Sequence, residues 1–237
     1  MSDEPKHYTP ISEMTTRKPV SAPVEYGSGD DFWVEYPSGL VDLSRTDHLQ
    51  ADGGSGPGQP ELKAHQVDIE VDINRTIRVD KTRTSLLVID MQNFFLHPDV
   101  RAHPSRLEVR RAAIASHPTP SCNGKQDPLG ELGFNRARAQ DNPTVPHPIS
   151  GVWGYQTALD LFLKENGITT LFFSGVNTDQ CVLGTLVDAY FRGYDCIVLS
   201  DATATTSPDG AYENLIYNAG GSYGFVTDTK RLIASAK

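Results

Sequence analysis

The residues best able to do chemistry in this chain are a thiol and a carboxylate. Cys181 lies in Leu171-Phe-Phe-Ser-Gly-Val-Asn-Thr-Asp-Gln-Cys-Val182, an apolar run that breaks at Gly175 and resumes with helical spacing. The pattern predicts a buried parallel strand over 171–176 and an amphipathic helix over 180–192. A thiol in the first turn of a helix meets backbone N–H groups and the positive end of the helix dipole, which favour the thiolate. The thiolate is the attacking species in covalent hydrolysis. The plainer reading is a small cysteine packed under a helix, since free Cys is among the most buried residue types. The carboxylate is Asp90, at the end of the apolar run Thr84-Ser-Leu-Leu-Val-Ile-Asp-Met-Gln-Asn-Phe-Phe95. A lone Asp there is commonly a turn or cap residue. In open α/β sheets, however, reactive groups gather at the carboxyl ends of the strands. Asp90 and Cys181 are therefore expected as neighbours in space, although 91 positions apart.

Other elements must hold these two strand ends in place. A helix is expected over 155–166, with Leu159, Phe162 and Leu163 as its apolar face and Lys164 as a solvated charge. Residues 195–200 read as a further buried strand containing Cys196, 208–219 as a helix, and 224–227 as a short edge strand. Upstream, 31–43 looks like a hairpin around Pro37-Ser-Gly39. Val67, Ile69, Val71 and Ile73 alternate with polar residues, giving a half-buried strand paired with 76–79 across Asn74-Arg75. Gly53-Gly-Ser-Gly-Pro-Gly58 lacks the Lys-Ser/Thr pair and following helix of a phosphate loop, and reads as a linker.

Five segments together carry a family resemblance: Leu86-Leu-Val-Ile-Asp-Met-Gln-Asn-Phe-Phe95, Ser150-Gly-Val-Trp-Gly154, Gly175-Val-Asn-Thr-Asp-Gln-Cys-Val182, Asp188-Ala-Tyr-Phe-Arg-Gly193 and Leu199-Ser-Asp-Ala-Thr203. The chain resembles the isochorismatase-like cysteine hydrolases, in particular their ureidoacrylate and N-carbamoylsarcosine amidohydrolase branch. The resemblance covers 84–100 and 149–232. It implies a three-layer α/β/α Rossmann-like parallel sheet and cleavage of a C–N bond in a small amide or carbamoyl substrate. It also implies an Asp–Lys–Cys triad, of which Asp90 and Cys181 match two members. The family's cis peptide would fall at Val176-Asn177, with the N–H groups of Asn177 and Cys181 forming the oxyanion hole. Phe95, Trp153 and Gln156 would line the substrate pocket.

The third triad member is absent from its place. Relatives carry Lys five residues before the Gly of a Ser-Gly pair; here that pair is Ser150-Gly151 and the position holds Pro146. Lys125 and Lys164 are the lysines between Asp90 and Cys181. Residues 101–148 contain seven of the sixteen prolines and six arginines, with one plausible helix over 106–116. No β-rich run marks the second and third family strands. The segment reads as an atypical, irregular insert without a counterpart in the family. The expected organisation is an N-terminal extension over 1–83, with hairpins and linker, followed by a hydrolase domain over 84–237. The alternative to an active hydrolase is a catalytically impaired relative or aberrant isoform, with a binding role or none of its own.

Composition narrows the partners. A net charge of −9 argues against nucleic acid and anionic membrane surfaces. No apolar run approaches a membrane span, and Met1-Ser-Asp-Glu-Pro-Lys-His lacks a signal-peptide pattern. Cys122, Cys181 and Cys196 form no even framework, which suits a reducing cytoplasm. Seven histidines supply no ligand set, and His97 and His103 have the wrong spacing for a zinc site. No cofactor and no metal are expected; the expected partners are a small-molecule amide substrate and further copies of the chain.

Overall fold

A computed structural model describes residues 19–49, 59–91 and 157–235. Two sheets account for the strands among them. The first is built from β1 (Val24–Ser28), β2 (Asp31–Glu35), β3 (Leu40–Asp42), β4 (Gln66–Val71) and β5 (Arg75–Asp80), in the order β1-β2-β3-β5-β4. Its pairs are antiparallel except β3 with β5. Both expected hairpins are present. Ile73, expected as strand, instead sits in the β4–β5 turn with φ 66° beside Asn74 at φ 51°. The chain must reverse there so that Val71 can face Arg75.

The second sheet is parallel and carries the candidate site. Its strands are β6 (Thr84–Ile89), β7 (Thr170–Val176), β8 (Asp195–Ala204) and β9 (Gly224–Thr227), in that spatial order. Every residue of β7 is buried, as expected for a central strand whose two faces are both covered. Alternation divides its neighbours' side chains cleanly. Leu87, Ile89, Leu171, Phe173, Cys196 and Val198 face a layer of helices: α1 (Ala158–Glu165), α2 (Leu183–Tyr190) and α3 (Ala211–Asn218). Phe172, Ile197 and Leu199 point the other way, into a core shared with Val41, Leu43, Ile69, Val71, Ile77 and Val79 of the first sheet. The last helix, α4 (Thr229–Ser235), packs on that same side through Leu232. Helices thus lie on both faces of the parallel sheet, and the N-terminal sheet supplies most of the second covering layer. Each fully buried aliphatic or aromatic side chain in this shared core stabilises the fold by about 1.5–3 kcal/mol.

Ion pairs reinforce the junction. The Arg45 side chain is 3% exposed, forms a bidentate pair with Asp195 at the start of β8, and also reaches Asp31 at 3.0 Å. Burial alone would lower the Arg45 pKa, but hydrogen bonding to Asp195 holds it above the ordinary value. Burial pushes the Asp195 carboxyl up, against the lowering influence of Arg45. At the opposite end of β8's neighbour β9, Asp72 N–H donates to Val226 O at 2.9 Å and Thr227 Oγ1 donates to Glu70 O at 2.7 Å. Arg231 of α4 pairs with Asp72 at 2.8 Å.

Local boundaries differ from the expected ones for identifiable reasons. Helix α1 begins after Thr157, whose side chain accepts from Asp160 N–H, and its buried apolar residues are Leu159 and Leu163. Phe162, expected on the apolar face, is 45% exposed. Strand β8 runs past 200 to Ala204 because its far end pairs with β7 a second time after a register shift.

Candidate active site at the carboxyl end of the parallel sheet

Strand β6 lies beside β7 with Ile89 opposite Gly175. That pairing sets Asp90 and the chain leading to Cys181 at adjacent strand ends. Gly175 is required by the closeness of the approach: at φ +112°, a Cβ there would stand 2.1 Å from Ile89 O. Asp90 is 3% exposed and turns the chain with φ 54°, a left-handed conformation that Asp tolerates better than most residues. The Val176–Asn177 peptide is cis. Asn177 is buried and precedes the turn as its cap residue.

Cys181 does not sit in the first turn of a regular α-helix. Residues Thr178–Val182 form a π-helical turn that leads directly into α2. Asn177 O accepts from both Gln180 N–H at 3.2 Å and Val182 N–H at 3.1 Å. Such wide turns are frequent at functional sites. Cys181 is partly exposed and packs against the helix-side core. Its carbonyl accepts from Thr185 Oγ1 at 2.7 Å.

The preceding residues are bound to the end of β8. Thr178 Oγ1 donates to Thr203 Oγ1 at 3.2 Å, Thr205 Oγ1 donates to Asp179 Oδ1 at 2.5 Å, and Gln180 Nε2 donates to Ser207 Oγ at 3.0 Å. Sequence reasoning assigned no role to Thr203, Thr205 or Ser207. The hydroxyl-rich run Thr203-Ala-Thr-Thr-Ser207 was the signal that could have found them, since one face of an extended chain takes every second residue.

The other candidates separate from this cluster. Phe95, Trp153, Gln156, Lys125, Pro146, Cys122, His97 and His103 lie outside the described residues, as does the expected insert at 101–148. Lys164 donates to Asp160 at 2.9 Å with its side chain 62% exposed on α1, as a surface charge. Cys196 is 1% exposed, and burial pushes its thiol far up. Among the described residues, no group of three or more His, Cys, Asp or Glu side chains is placed to hold a metal ion. None of their helices is long and apolar enough to cross a membrane. An open cleft of about 760 Å³ between β6 and α4, lined by Leu62, Leu86, Phe172, Leu232 and Ile233 among others, contains none of the candidate site residues.

Comparison with known proteins agrees with the motifs. The model of the isochorismatase domain matches residues 119–231. That span begins within the expected insert and leaves out the β6–Asp90 segment. Ureidoacrylate amidohydrolase RutB of Methylorubrum extorquens is 43% identical over 74 residues, 31% of this chain and 30% of the relative. RutB of Yersinia enterocolitica is 40% identical over 76 residues, 32% of this chain and 33% of the relative. The chain thus matches about a third of the length of these curated relatives. Among solved structures, a cysteine hydrolase from Pseudomonas syringae pv. phaseolicola is 20% identical with a TM-score of 0.44, covering 66% of this chain and 93% of that one. N-carbamoylsarcosine amidase from Thermoplasma acidophilum is 24% identical with a TM-score of 0.40, covering 62% and 96%. The chain is thus similar to the isochorismatase domain over residues 119–231, a span that also holds the motif around Cys181.

Proposed function

We propose that the chain is a cysteine hydrolase that cleaves the C–N bond of a small amide or carbamoyl compound, with Cys181 as nucleophile and Asp90 as proton carrier. The observation that supports this best is the pairing of Ile89 with Gly175, which sets a buried carboxylate and a partly exposed thiol at neighbouring strand ends. Asp90 takes the proton of the Cys181 thiol, the thiolate attacks the substrate carbonyl carbon, and the N–H groups of Asn177 and Cys181 receive the developing oxyanion. Such preorganised donors are commonly worth about 3–4 kcal/mol each. As the C–N bond breaks, Asp90 passes a proton to the leaving nitrogen. Water, losing its proton to Asp90, then releases the acyl group and restores the thiol. Phe95, Trp153 and Gln156 contribute pocket walls in this reading.

A second reading is favoured by Pro146 at the family's Lys position: a relative with impaired chemistry, or an aberrant isoform, retained for binding or without a role of its own. Turnover of ureidoacrylate and of nicotinamide-type amides by the full chain, beside the Cys181→Ala variant, separates the two. Hydrolysis that requires Cys181 supports the first reading; none by the unmodified chain supports the second. The three cysteines suit a reducing cytoplasm. Exposed Tyr190, Phe191 and Tyr217 on the helix side suit self-association into a homo-oligomer, which sedimentation would test. In domain terms, 1–83 is an extension and 84–237 the hydrolase unit, and the two share one core.

A further inference from the structure

We propose that the hydroxyl residues following β8 form a clamp that positions Cys181, with Asp179 and Thr205 as its central pair. This rests on the assignment of Cys181 as the nucleophile. Three consecutive residues before the cysteine are each hydrogen-bonded through their side chains to alternate residues of one extended segment: Thr178 to Thr203, Asp179 to Thr205, and Gln180 to Ser207. Thr185 then holds the carbonyl of Cys181 itself from the following turn. The chain is therefore tied at every residue from Thr178 to Cys181.

The clamp depends on an irregularity in the sheet. Phe173 faces Val198, but two residues later Gly175 faces Thr203, so β8 bulges outward between these contacts and returns beside the end of β7. The return carries Thr203 to Thr178, and the chain beyond it continues past Asp179 and Gln180. Without the bulge, these hydroxyls would not reach the turn. Polarity grades along the clamp as well. Thr178 and Thr203 are buried at 0% and 6% exposure, whereas the Gln180–Ser207 contact is at the surface. Thr205 also accepts from Ser207 N–H at 3.1 Å, so its hydroxyl is fixed as donor toward Asp179.

The consequence is geometric. A nucleophile must be held close to its attack geometry, and a displacement of about 1 Å can cost about 100-fold in rate. Any thiolate formed there is also met by backbone N–H groups only while the π-helical turn keeps its shape. Asp179 and Thr205 act through Cys181 and are positioning residues.

The test uses the full chain carrying Cys122→Ser, with ureidoacrylate as probe substrate and iodoacetamide as probe of the thiol. Thr205→Val and Asp179→Ala should lower kcat by about 10- to 100-fold with KM little changed. They should also shift the pH profile of Cys181 alkylation upward. Thr205→Ser and Asp179→Asn keep a donor and an acceptor, and should restore both readouts. An alkylation profile that does not move in folded Thr205→Val or Asp179→Ala overturns the clamp, as does failure of both conservative variants to restore it. A shifted profile in a chain that never turns over substrate leaves the clamp standing and removes the hydrolase reading instead. Should the central variants unfold, Gln180→Ala and Ser207→Ala at the exposed end carry the test. A smaller upward shift supports the clamp, and no shift in either overturns it.

Discussion

The two ends of the parallel sheet are built on opposite principles. At the amino end, Asp195 is locked to Arg45 and, through it, to Asp31, so the charges there are consumed by structure. At the carboxyl end, Asp90 turns the chain at a positive φ, and the residues flanking Cys181 are tied by side-chain hydrogen bonds to Thr203, Thr205 and Ser207. The two cysteines repeat the contrast. Cys196, near the amino end, is buried with its thiol pushed up, whereas Cys181 is partly exposed. A sheet whose strands all run one way can keep stability at one end and reactivity at the other.

The contrast is broken most sharply by Cys181→Ala. Turnover should fall by several orders of magnitude, because a missing nucleophile disables the whole catalytic unit, while the thermal midpoint stays close to that of the parent. Steady-state kinetics and a melting curve on the same preparation check both halves. Arg45→Ala should do the reverse. Stranding the Asp195 carboxylate costs about 3–5 kcal/mol in denaturant unfolding, with kcat per folded molecule unchanged. Replacing both partners, Arg45→Met with Asp195→Leu, should cost much less, since the buried charge disappears together with its partner.

Gly175→Ala attacks the carboxyl end through its backbone instead of its chemistry. The new Cβ meets Ile89 O in a left-handed conformation, and a loss of about 3 kcal/mol is expected from overpacking and strain together. Unlike Arg45→Ala, it should lower kcat in the molecules that remain folded, because β6 and Asp90 must move. Next in size is alkylation in a Cys122→Ser background. Cys181 should label with iodoacetamide near neutral pH well before Cys196, whose buried thiol resists ionisation. Equal labelling rates would dissolve the contrast between the two thiols. The smallest effect is expected for Lys164→Ala, whose exposed ammonium leaves the buried Asp160 still beside Arg192 at 3.8 Å: about 0.3–1 kcal/mol, with no change in turnover. A large loss of turnover there would mean that Lys164 serves the site after all.

Much of this was legible in the sequence because the informative signals are local. Apolar runs located β6, β7 and β8, alternation located β4, and turn residues located the hairpin at Pro37-Ser-Gly39. The placement of Asp90 and Cys181 at strand ends followed from the same runs, and the motif around Cys181 named the family. Periodicity says that a side chain is buried; it does not say against what. It gave no means of seeing that the N-terminal strands cover the second face of the parallel sheet, because Ile77 and Phe172 meet only after the chain has folded back on itself. Arg45 and Asp195 are 150 positions apart, and either alone reads as a surface charge. The bulge in β8 that delivers Thr203, Thr205 and Ser207 to the turn before Cys181 is a matter of register between two strands, and neither strand's own pattern encodes it. Local burial was written in the residues one after another, whereas partnership was decided only when distant segments competed for the same space.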